Sequence, residues 1–142
     1  MGDPHATQGD SELAGTAIEM STTALIQVIL HPQDSLRGTT LQNLDFPLLE
    51  TPDEYIVQGF TYTNYLADLG ENAQSEIFQK SSLDPAFKDA VKKMRQFMMN
   101  AKGLTEDEAI SLMSIAVDFG VTQVVDGNWG AHGILKKGVF AG

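Results

Sequence analysis

Polar side chains crowd the start of the chain, where "MGDPHATQGDSE" holds one histidine and three acids. Asp3 and His5 are two residues apart, as are Asp10 and Glu12, so in an extended backbone each pair lies on one side. Gly9 would let the chain turn tightly and bring the pairs together. An imidazole with several carboxylates suits Zn²⁺, Mn²⁺ or Ca²⁺. The spacing therefore predicts a divalent metal site, and the alternative is a solvated polar loop.

A second polar group follows the apolar run "VTQVV" in the segment "DGNWGAH". Side chains directly after a buried strand are held by a rigid scaffold, which suits catalysis. Asp126 is in position to complete a metal shell, and His132 to bind metal or to carry a proton. The alternative is an ordinary Asp-Gly turn in which Trp129 serves as an anchor.

The chemistry expected of such residues is hydrolytic. A bound divalent ion polarises a carbonyl and lowers the pKa of water to about 7. A carboxylate that does not bind the metal then serves as general base.

The composition limits the class of protein. The 142 residues, 42% of them apolar, predict one domain over 1–142 with a real core. A net charge of −10 argues against nucleic acid and anionic membranes as partners. The absence of cysteine excludes disulfides and thiolate zinc sites. Since there is neither a long apolar run nor a secretory signal, we expect a cytoplasmic protein.

Hydrophobic periodicity predicts an α+β fold with a sheet-forming first half. The stretch Thr22–Leu30 is predicted as a long strand covered on both sides. Further strand-like pieces are expected over Thr39–Leu44 and Glu54–Phe60. The segment "NYLADLGENAQSEIFQKSS" indicates helix or turn. A closing strand over Val121–Val125 would pair with "AHGILKKGVF".

Two consecutive helices are predicted between these strands, over about 84–102 and 105–119. The first has Asp84 as N-cap, Pro85 at the first helical position and Gly103 after its end. The second opens with the capping box Thr105-x-x-Glu108 and is expected to be buried up to its end at Gly120.

The segments "GDPHATQGDSELAGTAIE", "ETPDEYIVQGF" and "GLTEDEAISLMSIAVDFGVTQVVDGNWGAHGILKK" together resemble the acetamidase/formamidase family, in the same order and over nearly the whole chain. The resemblance implies hydrolysis of short aliphatic amides by a metal-containing, oligomeric, cytoplasmic enzyme. It also implies a mixed or antiparallel sheet from the C-terminal part of a jelly-roll-like β-sandwich. Ser11 stands where the family usually has glycine, and Pro4 replaces a more flexible position. The resemblance implies that the chain corresponds to the C-terminal half of the family's proteins.

The residues that match the family's polar positions are Asp3, His5, Gln8, Asp10, Glu12, Asp126 and Asn128, and Glu12 is expected there as a metal ligand or a base. The roles below are assigned from this match together with the residue types, His132 and Trp129 on residue type alone. The expected groups are metal ligands (Asp3, His5 and Asp10), catalytic residues (Glu12, Asp126 and His132) and substrate-binding residues (Gln8, Asn128 and Trp129). Zinc is the expected ion, with calcium or manganese as alternatives. The expected partners are a small amide and either further copies of the chain or a complementary N-terminal half. The alternative function is a non-catalytic assembly module or one half of a split amidase.

Overall fold

The computed structural model describes residues 5–10, 12–44 and 46–140, and the α+β fold class predicted from the sequence is confirmed. Its strands are β1 (His5–Thr7), β2 (Ile18–Glu19), β3 (Leu48–Glu50), β4 (Glu54–Phe60), β5 (Val117–Gln123) and β6 (Gly130–Lys136). Its helices are α1 (Tyr65–Leu69), α2 (Ala73–Lys80), α3 (Leu83–Lys102) and α4 (Glu106–Ala116). Short 3₁₀ turns lie at Gln33–Leu36, Gly70–Asn72 and Lys137–Phe140.

Four strands form an antiparallel sheet in the order β3-β4-β6-β5, and β1 pairs separately with β2. Alternate residues of β4 are buried, which is the pattern of a strand with one face on a core. The opposite face carries a row in which Gln58 is paired with His132, and His132 with Gly120. The predicted strand at Glu54–Phe60 and the closing hairpin are therefore confirmed.

Helix α3 lies across this sheet and supplies much of the core through Met94, Phe97 and Met98. Its approach to β4 is close at Gly59, because a Cβ there would lie 2.1 Å from the Ala90 nitrogen. A glycine inside a strand often marks such a contact between backbones. The helix therefore sits on the sheet at a distance that a larger residue would not permit.

An ion pair within α3 is hydrogen-bonded to the end of β4. Lys93 Nζ lies 2.6 Å from Asp89 Oδ2, which also accepts a hydrogen bond from the Phe60 N–H. The Lys93 side chain is buried, and its ammonium faces the rings of Phe46 and Phe60. This arrangement satisfies a charge that would be costly if it were buried alone.

The helices begin and end largely as their local signals predict. Gly103 follows α3 with φ of 68°, the left-handed value that glycine adopts easily. The capping box of Thr105 and Glu108 is present at α4. The N-cap of α3 is Ser82, however, so Asp84 lies within the helix and pairs with Lys88 instead.

Helix α4 ends at Ala116, so its predicted extension to residue 119 is wrong. From Val117 onward the chain is a strand that pairs with β6, and this pairing outweighs the local helical pattern. The expected burial of α4 is also wrong, because Ile110 and Ile115 are exposed. Gly120 therefore lies inside β5 and does not end a helix.

Two predicted strands are absent from the described residues. The chain over 22–30 has no regular structure and its side chains are exposed, because no strand of the described chain lies beside it. The stretch 39–44 forms turns closed by hydrogen bonds such as Gln42 N–H to the Thr39 carbonyl. The ambiguous segment after Thr63 forms α1 and α2. Among the described residues, no helix is both long and apolar enough to cross a bilayer.

Candidate active site

The hairpin formed by β1 and β2 holds a chain of four polar side chains, here called the hairpin cluster: His5, Gln8, Glu12 and Glu19. The strand register sets His5 directly opposite Glu19, and His5 Nε2 lies 3.2 Å from Glu19 Oε1. On the other side of the ring, Nδ1 is 2.9 Å from Gln8 Oε1. Gln8 Nε2 donates to Glu12 Oε2 over 3.3 Å. The imidazole is thus held between an amide oxygen and a carboxylate.

This chain of contacts orients the His5 ring. Because the Gln8 NH₂ group donates to Glu12, its carbonyl oxygen faces His5 Nδ1 and can accept a hydrogen from that nitrogen. Nε2 and the Glu19 carboxylate then lie together on the other side of the ring. An imidazole whose second nitrogen is held by a hydrogen bond is the usual arrangement of a metal-binding histidine.

The structure brings only part of the predicted metal-ligand set together. Asp3 lies outside the described residues. Asp10 is exposed, two residues before Glu12. Within residues 5–10, 12–44 and 46–140, no group of three or more His, Cys, Asp or Glu side chains is arranged to hold a metal ion. The described part of the hairpin thus contributes one nitrogen and one carboxylate, from His5 and Glu19.

Sequence reasoning missed Glu19, although the residue was in view as the end of "GTAIE". Its partner His5 lies fourteen positions away in the sequence, and only the antiparallel register joins them. A hairpin centred on the glycine-containing stretch between them would have suggested the pairing. Glu19 could have been found from the sequence only by predicting the strand register of the hairpin as well as the spacing of its polar residues.

The second polar segment forms a tight turn between β5 and β6. Asp126 and Gly127 have φ of 61° and 90°, both in the left-handed region that Asp-Gly turns favour. The Asn128 amide pairs with the Tyr62 backbone at both ends: Oδ1 accepts from the N–H over 3.0 Å, and Nδ2 donates to the carbonyl over 2.8 Å. The Trp129 carbonyl accepts from Thr61 N–H. These bonds fasten the turn to the end of β4.

His132 lies in β6, on the sheet face away from α3. Its Nδ1 is 2.9 Å from Thr122 Oγ1, and the ring lies over Gly120, where an added Cβ would be 2.7 Å from Nε2. The absence of a side chain at Gly120 therefore makes room for the imidazole. The sequence indicated neither residue for the site, and Gly120 was predicted only as the end of a helix, because their role beside His132 depends on pairing across the strands.

The hairpin and the β5–β6 turn meet at one end of the molecule. A Cβ added to Gly15, in the turn between β1 and β2, would lie 3.1 Å from Val125 Cγ2. Val125 directly precedes Asp126, so the two polar segments that the sequence separates by about a hundred residues come to the same end. His132 lies in β6 and the hairpin cluster lies in and beside β1 and β2.

Comparison with known proteins identifies the group to which this chain is related. The model of the Acetamidase/Formamidase family matches residues 1–134, whereas none of the curated proteins matches. A solved structure, that of an acetamidase from Bacillus halodurans, is 23% identical and matches with a TM-score of 0.48, covering 68% of this chain and 26% of its own. This chain therefore spans about a quarter of the length of that acetamidase. The match over residues 1–134 shows that the chain belongs to the Acetamidase/Formamidase family.

Proposed function

We propose that this chain takes part in the hydrolysis of short aliphatic amides, such as formamide and acetamide, to a carboxylate and ammonia. Family membership over residues 1–134 is the observation that carries this proposal. The hairpin cluster supports it, because its residues fall within the polar signature shared with the family. A cytoplasmic location is part of the same proposal.

A divalent ion, with zinc preferred over calcium or manganese, is proposed at the hairpin cluster. The donor chemistry fits, since a fixed imidazole nitrogen and a carboxylate oxygen are ligands that Zn²⁺ and Mn²⁺ accept. His5 and Glu19 would hold the ion, and Asp3 and Asp10 are the proposed further ligands. When bound, the cation would polarise the amide carbonyl and make an attacking water more acidic.

The chain's own residues have distinct proposed roles. Glu12 is the proposed general base, and two hydrogen bonds through the Gln8 amide link it to the His5 side chain. Gln8 fixes the ring of His5 as well as contributing to substrate binding. Asp126 and His132 are proposed to take part in proton transfer, with Thr122 holding the His132 ring.

Two further residues, Asn128 and Trp129, are proposed to shape the amide-binding side of the site. Both Asn128 amide atoms already bond the Tyr62 backbone. Its contribution to substrate binding would therefore come through the position of the turn.

Ammonia release tests the proposal directly. The purified chain is incubated with formamide or acetamide after loading with Zn²⁺, Mn²⁺ or Ca²⁺, and ammonia is measured with a coupled enzyme assay. We expect release that depends on the metal and stops when a chelator is added. If a folded sample that binds the metal releases none, the proposed activity of this chain is refuted.

A second candidate is a non-catalytic assembly module, or one half of a split amidase that needs a complementary N-terminal half. The exposed apolar side chains of residues 22–30 favour it, because contiguous exposed apolar surface commonly marks an interaction site. This candidate predicts that the chain forms a defined assembly and releases ammonia only once a complementary chain is added. The same assay, repeated with and without such a chain, separates the two candidates.

A further inference from the structure

A cavity of about 360 Å³, here called the edge cavity, lies between the start of α3 and strand β5. Its walls are predominantly apolar and include Leu83, Phe87, Phe119, Val121 and Ala131. The ring centroids of Phe87 and Phe119 are 5.0 Å apart, and Phe87 is 45% exposed. A half-exposed aromatic ring in the wall of an apolar cavity offers surface that an apolar ligand would cover.

The edge cavity adjoins His132 through Gly120. Gly120 forms part of the cavity wall, and a Cβ added to it would lie on the other face of β5, 2.7 Å from His132 Nε2. Strand β5 is the outermost strand of the described sheet, so a ligand in the cavity has a path around its edge to the imidazole. The cavity therefore lies beside one of the groups proposed for proton transfer.

We propose that the edge cavity binds the acyl group of the amide substrate, and that this chain accepts amides with acyl groups larger than acetyl. The inference rests on the proposed amide hydrolysis and extends it from formamide and acetamide to branched and aromatic acyl groups. An apolar cavity of about 150 Å³ is enough to hold benzene. The edge cavity therefore has room for a phenyl group or a branched chain of about four to six carbons. The acyl group of formamide or acetamide would leave most of this volume unfilled.

The free edge of β5 offers hydrogen-bonding partners to the amide group itself. Along an edge strand, every second residue directs its N–H and C=O groups away from the sheet, and no described strand lies on that side of β5. A primary amide carries one acceptor oxygen and two N–H donors. It can therefore bond to this edge as an added strand does, with its acyl group in the cavity.

Charge favours the amide over the carboxylate that its hydrolysis forms. Among the described residues that line the cavity, Asp84 is the one that carries a charge, and its carboxylate lies 2.7 Å from Lys88 Nζ. The whole chain has a net charge of −10, so it repels an approaching anion but not a neutral amide. We therefore expect the cavity to hold the neutral substrate and to release the acid product.

Binding of benzamide tests the site without any turnover. The full chain is titrated with benzamide, benzoate and acetamide, and the backbone amide resonances are followed by NMR. We expect benzamide to shift the resonances of residues 119–121 and 131, and to bind at least about tenfold more tightly than benzoate or acetamide. No binding of benzamide, shifts confined to other parts of the chain, or equally tight binding of benzoate overturns the proposal.

Two variants with matched controls test whether the cavity walls carry the binding. Phe87→Ala removes one aromatic wall and should weaken benzamide binding at least about fivefold. Phe78→Ala makes the same change at a ring that is 66% exposed outside the cavity, and should bind as wild type does. Val121→Phe fills the cavity and should also weaken binding, whereas its control Val28→Phe, at a position 90% exposed, should not. Benzamide binding that is unchanged in both cavity variants contradicts the proposal.

Turnover then separates this inference from the proposed function. Ammonia release from benzamide and from formamide is compared between wild type and Val121→Phe. We expect the KM for benzamide to rise at least about fivefold in the variant, while the KM for formamide stays unchanged. Equal effects on the two amides refute the edge cavity as the acyl site, although hydrolysis itself stands. Benzamide that binds in the cavity without ammonia release from either amide refutes the proposed hydrolysis and leaves the binding site in place.

Discussion

The contact between α3 and β4 at Gly59 allows a quantitative prediction for Gly59→Ala. The added Cβ would lie 2.1 Å from Ala90 nitrogen and 2.5 Å from the Ala86 carbonyl oxygen, whereas ordinary contact begins at 3.4 Å. The helix must therefore move by about 1.3 Å, the difference between 2.1 and 3.4 Å. Ala86 and Ala90 are fully buried, and a helix that moves away also loosens the packing of Met94 on the sheet.

Overpacking of a core usually costs about 1–3 kcal/mol. Here the added Cβ has no rotamer and the atoms that it meets belong to the backbone of α3, so neither side can turn away, and we expect a loss of about 3 kcal/mol. For a domain of this length that corresponds to a fall in Tm of about 10 °C. Urea unfolding followed by circular dichroism measures both stability and helix content.

Two companion variants make the result specific. Gly138→Ala, where a Cβ would meet nothing within 4 Å, should change the free energy of unfolding by no more than about 0.5 kcal/mol. Ala90→Gly should not rescue Gly59→Ala, because the collision involves the backbone nitrogen and Cα of Ala90. A Gly59→Ala chain as stable as wild type, or full rescue by Ala90→Gly, would refute the reasoning.

Three other predictions concern the site and the helices. Gly120→Ala should displace the His132 ring, because its Nε2 would be 2.7 Å from the new Cβ. We expect ammonia release to be at least about tenfold slower, with little loss of stability. Unchanged turnover would contradict a role for that ring. Asn128→Ala should lower the free energy of unfolding in urea by about 1–3 kcal/mol, because the N–H and the carbonyl of Tyr62 both lose their partner. An unchanged free energy would show that water replaces the amide. Hydrogen bonds from the backbone N–H and the hydroxyl of the N-cap residue lower the pKa of Glu108 below its ordinary value. Because the pKa is lowered on folding, the ionised carboxylate stabilises the fold at pH values above the ordinary glutamate pKa of about 4.3. That contribution is lost as the pH falls through the pKa of the folded state. The stability advantage of wild type over Glu108→Gln should therefore shrink below about pH 4, and an advantage independent of pH would argue against the capping carboxylate.

The parts of the fold that sequence reasoning predicted are those specified by local interactions. Thr105 and Glu108 form their capping box within one turn, and Gly103 ends α3 through its own backbone. The alternation of buried and less buried residues along Glu54–Phe60 is likewise typical of a strand with one face packed on a core. Each of these signals depends on neighbours in the sequence, so no knowledge of the tertiary structure was needed to read them.

The parts that sequence reasoning missed depend on partners distant in the sequence. Residues 22–30 have the composition of a strand, but a strand forms only where another supplies hydrogen bonds, and none of the described strands lies beside them. Val117 leaves the helical pattern because β6 pairs with it. Glu19 joins the candidate site through its register with His5. A glycine inside a strand, as in "EYIVQGF", often marks a close backbone approach, but only the fold shows that α3 is the helix that makes it.

The central claim is that the hairpin cluster holds the ion on which amide hydrolysis depends, and a matched pair of variants tests it most directly. Glu19→Gln removes the carboxylate beside His5, whereas Glu71→Gln makes the same chemical change at an exposed position away from the site. Bound zinc and ammonia release from formamide are measured on the same samples. We predict that Glu19→Gln weakens zinc binding at least about tenfold and abolishes ammonia release, while Glu71→Gln behaves as wild type. Equal zinc binding and equal turnover in the two variants would contradict the claim.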